Sequence, residues 1–490
     1  MARSHVAAPS VAIIGAGFGG LCMAIRLIRA GIASFTIFER ASGVGGTWLE
    51  NTYPGAACDI PSHLYAFSFE HKHDWSRAYA EQPEILSYLQ HCARKHGLLE
   101  RIRFNTEVRG ATFDERRNLW SLELGDGSTY EAAVLISAVG QLNRPTIPNV
   151  PGRETFARPA FHSAQWRHDV ELGGKRVAVI GTGASAIQIV PELAKRAASL
   201  VLFQRSAPYV IPKPDRPYRS FEKSLFRALP FVQKVNRALK YAMHESRVIA
   251  FAYAKAAMAL PRAAFVKHLE SQVADPDLRR KLTPDYQMGC KRIMISNDYY
   301  TALARPNVEV VTDAIGRLTE TGIVTADGRE REFDAIVYAT GFASTGFLLP
   351  MRITGRGGLD LHSAWRDGAE AYLGITVAGF PNLFLLYGPN TNLGHNSIVY
   401  MLESQVTYVM DAIRALGSGK LARLEVRPSV QKRYNERLQR RIAGTVWAAG
   451  CTSWYLDASG KNVNNWPEFT FAYKRRTKKL KLRDYIPAPA

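Results

Sequence analysis

A carboxylate and a guanidinium stand at equal distances behind two glycine turns in this chain. The first turn follows VAII and carries Gly15, Gly17 and Gly20, with Glu39 24 residues past Gly15. The second follows RVAVI and carries Gly181, Gly183 and Ala186, with Arg205 24 residues past Gly181. In a strand–turn–helix unit of this kind the first glycine makes the tight turn. The second lets backbone approach a pyrophosphate, and the third position lets the helix pack close. An acid at the following strand end suits a free ribose diol and repels a 2′-phosphate, whereas arginine binds that phosphate through charge-assisted bonds. The pairing predicts FAD in the first unit and NADPH in the second. Gly19 lies inside the first turn, Thr182, Ala184 and Ser185 inside the second, and Ser206 follows Arg205, so all are counted with the cofactor residues.

These turns need ordered elements on either side. Residues 11–14 read as a buried parallel strand, 21–30 as a helix aiming its N-terminal N–H groups at the pyrophosphate, and FTIFE as the next strand. The same order recurs at 176–205. The expected fold class is α/β, with two Rossmann-like dinucleotide-binding domains. Between 208 and 280 the alternation stops. Pro-rich IPKPDRP gives way to helical runs with basic faces, read as a helical insertion at about 212–287 in the NADPH domain. Its apolar stripes are expected in the core. The alternative is that one stripe lies on a membrane or admits apolar substrates.

Composition bounds the remaining choices. A chain of 490 residues suits roughly two to four domain-sized units. The net charge of +20, from 63 basic and 43 acidic residues, attracts anions such as phosphorylated cofactors, acidic membranes or nucleic acid. No nucleic-acid module accompanies it, so that partner is not expected. No apolar run is long enough to span a bilayer and no secretory signal precedes the first strand, so a cytoplasmic enzyme is expected. The five cysteines, Cys22, Cys58, Cys92, Cys290 and Cys451, form no CxxC pair. That fits a reducing compartment and speaks against a zinc site or a dithiol reductase. His71 and His73 have no third ligand spaced with them, so they read as solvated and no metal is expected.

Beyond Glu39 the chain continues GGTWLENTYPGAACD, from Gly45 to Asp59. These special residues read as the wall of a flavin site, the plainer alternative being a structured Gly/Pro turn with Trp48 in the core. The segment resembles the long fingerprint of Baeyer–Villiger monooxygenases, A/G-G-x-W-x4-F/Y-P-G/M-x3-D. Gly45, Gly46, Trp48, Tyr53, Pro54, Gly55 and Asp59 match every defined position. FARPAFHSAQW resembles the family's short fingerprint, F-x-G-x3-H-x3-W-P/D. Phe156, His162 and Trp166 match, but Arg158 and Arg167 replace its glycine and its last residue. A glycine in a linker serves a φ > 0 turn or a close approach, so these departures bear on domain coupling. His162 is read as structural rather than as a proton carrier. MGCKRIMISNDYY resembles G-x-K-R-x6-Y-Y, which implies that Arg292 is the family's active-site arginine.

The resemblance implies further FAD contacts at Gly46, Thr47, Trp48, Asp59, Tyr65, Val108, Gln141 and Ile398. It implies NADP contacts at Cys58, Lys291, Arg292 and Trp454. It divides the chain into a discontinuous FAD domain, 1–141 and 343–490, and an NADP domain, 142–342. The activity implied is an NADPH- and O2-dependent conversion of ketones to esters or lactones through a C4a-peroxyflavin. Arg292 would stabilise the anions and Asp59 would hold Arg292. GPNTNLGH and SWYLDASGKN look closer to aryl-ketone-type members. A flavin-containing N- or S-oxygenase, which would take sulfides, and an NADPH oxidase or flavin reductase are the alternatives. Near the end, seven of the ten residues from Lys474 to Arg483 are basic. This run reads as solvated, with a peripheral membrane patch as the alternative.

Overall fold

The computed structural model describes residues 8–489; the first seven residues and Ala490, placed in the FAD domain by the sequence, lie outside them. Val11–Ile14 is the middle strand of a five-stranded parallel sheet. Its order is Leu383–Leu385, Val134–Ser137, Val11–Ile14, Phe35–Phe38, Ile102–Arg103. All four residues of VAII are buried, because each strand face is covered by a different layer. Val11 and Ile13 join the cluster of the helices Phe18–Arg29 and Ile398–Leu416. Ala12 and Ile14 face Trp120 and Leu122 of an adjoining four-stranded sheet. This is the period-2 alternation of a strand buried on both sides. Leu383–Leu385 brings the C-terminal third of the chain back into the first sheet.

The second sheet repeats the plan with strands Val308–Val311, Ser199–Phe203, Arg176–Ile180, Ala335–Tyr338 and Ala160–His162, again parallel. Val177 and Val179 face one cluster, Ala178 and Ile180 the other. Helices Ser220–Ala228, Pro230–Ser246, Ala259–Gln272 and Pro276–Lys281 form the insertion.

Several expectations need correction. The first dinucleotide helix begins at Phe18, not at 21, because Gly19 and Gly20 are themselves in its first turn. The alternation of IPSHLYAFSFE suits a strand or an extended wall, but the segment forms turns, with Leu64 and Tyr65 N–H groups both bonded to the Pro61 carbonyl. The outer apolar stripe of the insertion is not in the core: Phe231, Val235, Leu239 and Met243 are all exposed. Cys290 and Cys451 are joined as a disulfide across 161 residues of sequence, a pairing that spacing alone does not reveal. Cys22, Cys58 and Cys92 are free and buried. Among the described residues no single helix is long and apolar enough to cross a membrane, and no His/Cys/Asp/Glu group could hold a metal ion.

Candidate active site

The two glycine turns are built alike. Gly15 and Gly181 take φ of 104° and 110°. A Cβ on Gly15 would lie 2.7 Å from the Ala138 carbonyl oxygen, and one on Gly181 2.4 Å from that of Ala339. Neither position accepts a side chain. A Cβ on Gly20 would meet the Gly15 oxygen at 1.9 Å, so this helix packs tighter than the one carrying Ala186. Gly183 opens onto free space and Gly17 faces only Gly46, which leaves backbone accessible at both turns. Glu39 is buried and accepts the N–H groups of Ala16 (2.7 Å) and Ala41 (2.9 Å), so it braces the first turn from the strand end.

The remaining residues expected on the flavin side are placed as follows. Thr47 opens the short helix Thr47–Glu50. Trp48 Nε1 donates to the Tyr65 hydroxyl at 3.3 Å, and Tyr65 lies edge-on to Phe18. Val108 is buried at the start of the strand Val108–Asp114. Ile398 begins the helix Ile398–Leu416, whose cap is Ser397 Oγ accepting Val399 N–H. Gln141 is buried, with Nε2 on the carbonyls of Tyr387 and Gly388 and its Oε1 without a partner. A buried acceptor without a donor, beside an open glycine cradle, fits a bound flavin.

The second turn ends in a cluster of cations. Arg205 is exposed. Lys291 Nζ donates to Ser206 Oγ at 3.0 Å and lies over the Tyr286 ring, and the Ser206 carbonyl accepts from Thr182 Oγ1 at 2.9 Å. Burial, and then the Arg205 charge, hold the Lys291 pKa below its ordinary value. A 2′-phosphate here would relieve that repulsion, which fits NADPH. Ala184 is exposed and Ser185 precedes the helix Ala186–Ala194. The Trp454 carbonyl accepts from Ser344 Oγ (2.7 Å) and Asn464 Nδ2 (3.0 Å), which anchors its loop. Cys58 is buried and its Sγ accepts the Ile60 N–H; burial drives its pKa up, so it stays a thiol.

Between the two units Arg292 meets Asp59. Nε and Nη2 of the guanidinium both donate to Asp59 Oδ2, the former at 2.9 Å, and Nη1 reaches the Leu393 carbonyl only at 3.4 Å. Burial pushes the Asp59 carboxyl up, but the Arg292 charge outweighs it and holds the pKa below its ordinary value. The Asp59 charge raises that of Arg292 in turn. The same fingerprint docks on the second unit. Tyr53 donates to Gln188 Oε1 at 3.0 Å, and Gln188 Nε2 donates to the Ala57 carbonyl at 2.9 Å. Gly55, at φ 79°, packs so close that a Cβ would lie 2.7 Å from the Gln188 carbonyl oxygen.

Sequence reasoning missed Gln188, Tyr387 and Tyr455. Burial raises the pKa of both tyrosines, Tyr455 to about 12, while the Arg292 charge opposes it. Tyr387 has φ of 63°, and its hydroxyl donates to Asn392 Oδ1 at 2.7 Å. Asn392 continues to Asn465, and Asn390 to the Asn462 carbonyl, so the two asparagine-rich loops are zipped together. The visible signal was the repeated asparagine in NTN and NVNN.

The short fingerprint residues make contacts of their own. His162 is fully buried and its Nδ1 accepts the Ala164 N–H at 3.1 Å. Burial lowers its pKa. Phe156 is buried, and Trp166 lies edge-on to Phe161. The backbone at Arg158 is not left-handed, so no glycine is required there, and its side chain pairs with Asp334 at 3.0 Å. Arg167 pairs with Asp169.

The family model described as flavin-binding monooxygenase-like matches residues 8–351. A Baeyer–Villiger monooxygenase of Pseudomonas aeruginosa is 50% identical over 97% of this chain and 90% of its own length. One of Streptomyces coelicolor is 46% identical over 98% and 93%. Among solved structures, a steroid monooxygenase bound to NADP shares 35% identity at a TM-score of 0.86, covering 96% of each chain. Cyclohexanone monooxygenase from Rhodococcus sp. Phi1 bound to NADP+ shares 28% at 0.89, covering 98% of this chain and 99% of its own. With its paired glycine turns, the chain belongs to the flavin-binding monooxygenase-like family. Within it, this is a Baeyer–Villiger-type flavoprotein monooxygenase, with FAD and NADPH as its cofactors.

Proposed function

We propose that Arg292 and Asp59 are the catalytic pair with which this enzyme converts ketones to esters or lactones, and the observation that carries the reading is their two-donor contact between the dinucleotide units. FAD, when bound, would take electrons from NADPH and supply the activated oxygen. Asp59 holds one edge of the guanidinium, so Nη1 is the nitrogen left to address a reacting group. A guanidinium keeps its charge at any working pH and suits an oxyanion that develops on the ketone oxygen. In a partly buried site that charge counts for more than it would in water. Glu39 takes the ribose of FAD, and Arg205, Ser206 and Lys291 take the 2′-phosphate of NADPH. Trp454 and the zipped asparagine loops exclude water over the nicotinamide side.

The division into 1–141 with 343–490 and 142–342 belongs to the same reading. Sulfides are secondary substrates in it. The test is NADPH-driven oxygen uptake with a panel of ketones and sulfides, with product masses recorded. Ester or lactone products support the reading. Sulfoxides alone, or peroxide without organic product, would sink it.

A further inference from the structure

The insertion helix Pro230–Ser246 is inside out. Its inward face is polar. Gln233 bonds the Lys72 carbonyl at 2.7 Å, Arg237 bonds the Ala66 carbonyl at 2.9 Å, and Glu245 accepts from Asn396 at 2.6 Å and Thr470 at 2.7 Å. Its outward face is apolar: Phe231, Val235, Ala238, Leu239, Ala242 and Met243 are exposed, Phe231 by 62% and Leu239 by 66%. A helix on a water-facing surface has the opposite arrangement. The apolar face runs on through neighbouring elements. Phe221 and Leu225 precede it, and Leu260, 78% exposed, follows it. Exposed Tyr253 stacks on Phe469, which stacks on exposed Phe471 at the start of the helix Thr470–Thr477. An apolar surface of this extent marks a contact site.

The charge around it names the partner. Lys223, Arg227 and Lys234 lie on the same helices as Phe221, Leu225 and Phe231, and Lys255 lies two residues beyond Tyr253. Lys474 sits over the Tyr400 ring, and Tyr400 stacks on Tyr241 of the inside-out helix, so the basic C-terminal run begins at the border of the apolar face. A second copy docked here would oppose like charges in a chain of net charge +20. An anionic lipid surface satisfies both components. The helix alone is not long and apolar enough to span a bilayer, and the segment Pro230–Tyr253 is bent by 120° from the following Lys255–Gln272.

We propose that this face is a monotopic docking surface for anionic phospholipid bilayers, with its apolar side chains at the acyl boundary and its lysines and arginines at the headgroups. None of these side chains belongs to either cofactor site, so docking and turnover are separable. The test is co-sedimentation of the flavin-loaded full chain with phosphatidylcholine vesicles, with and without phosphatidylglycerol, beside the double variant Phe231→Ser, Leu239→Ser. The chain is expected to pellet with the anionic vesicles and much less with neutral ones. The double variant keeps its flavin and NADPH oxidation but loses at least about tenfold in partition. Absence of pelleting at low salt overturns the proposal. Unchanged partition of the double variant also overturns it, assigning binding to the basic run alone. A dimer in sedimentation velocity that the double variant turns into monomer overturns it in favour of a second copy.

Discussion

A single oxygen of Asp59, Oδ2, receives both Nε and Nη2 of Arg292. The guanidinium is therefore gripped along one edge, and rotation about the Arg292 side chain is restrained by a partner 233 residues away in sequence. Such a grip sets direction as well as charge.

Arg292→Ala is expected to retain FAD and to go on oxidising NADPH while ester formation falls on the order of a hundredfold or more. Arg292→Lys keeps the charge but offers a point donor without the planar edge, so it should fall between the two. Ester yield per NADPH consumed is the measurement. Normal yield in the alanine variant would remove Arg292 from the chemistry.

In the proposed reading, cofactor choice rests on Arg205, Ser206 and Lys291. Arg205→Ala and Lys291→Ala should each raise the KM for NADPH roughly tenfold or more, as loss of a charge-assisted phosphate bond requires, and leave NADH use nearly unchanged. Equal losses with both cofactors would show that these cations do not read the 2′-phosphate.

Gly55 is a close contact between the fingerprint and Gln188. Gly55→Ala places a side chain in a left-handed backbone, costing about 1–2 kcal/mol, and adds the clash with the Gln188 carbonyl. A melting temperature lowered at constant flavin loading, with slower flavin reduction by NADPH, is the expected pair of changes. Gln188→Ala should slow reduction with little change in melting. A Gly55→Ala protein as stable as the parent contradicts the packing.

Three buried histidines set the acid limit. Burial holds His63 at about 3, His244 at about 4 and His395 at about 3. The unfolded chain takes up these protons near pH 6.5 and the folded chain does not. Stability therefore falls as pH drops below about 6.5, by up to about 1.4 kcal/mol per pH unit for each histidine, until each folded pKa is reached. Asp59 acts at lower pH. Its folded pKa is depressed, so its contribution is present above the unfolded value of about 3.9 and is lost below it. Denaturant midpoints measured from pH 7.5 to 5 should decline, and His395→Gln should flatten the decline. A flat profile in the parent would place these rings in water.

Much of the site was legible in the chain. Glycines at 15, 17, 20, 181 and 183, with Glu39 and Arg205 at equal distance, encode local turns and a strand end, and local geometry follows from local sequence. The fingerprint residues from Gly45 to Asp59 were legible as a set and the resemblance implied the task of Asp59, but the tasks of Tyr53 and Gly55 were not legible. Tyr53 and Gly55 hold the second unit, whereas Asp59 holds Arg292. The insertion misled, because periodicity shows that a helix has two faces and not which one meets the core. The buried Gln233 and Glu245 and the half-buried Arg237 find partners in distant loops, and those bonds turn the apolar face outward.

The sequence by itself determined two dinucleotide units, the pair of cofactors and the family of the chain, because spacing within a short segment dictates the chemistry there. Only the tertiary structure decided that one oxygen of Asp59 takes two nitrogens of Arg292, that Gln188 locks the units together, that Cys290 meets Cys451 and which helix face is left bare. Each of these joins residues far apart in the chain, and their meeting depends on how the layers pack rather than on any local pattern.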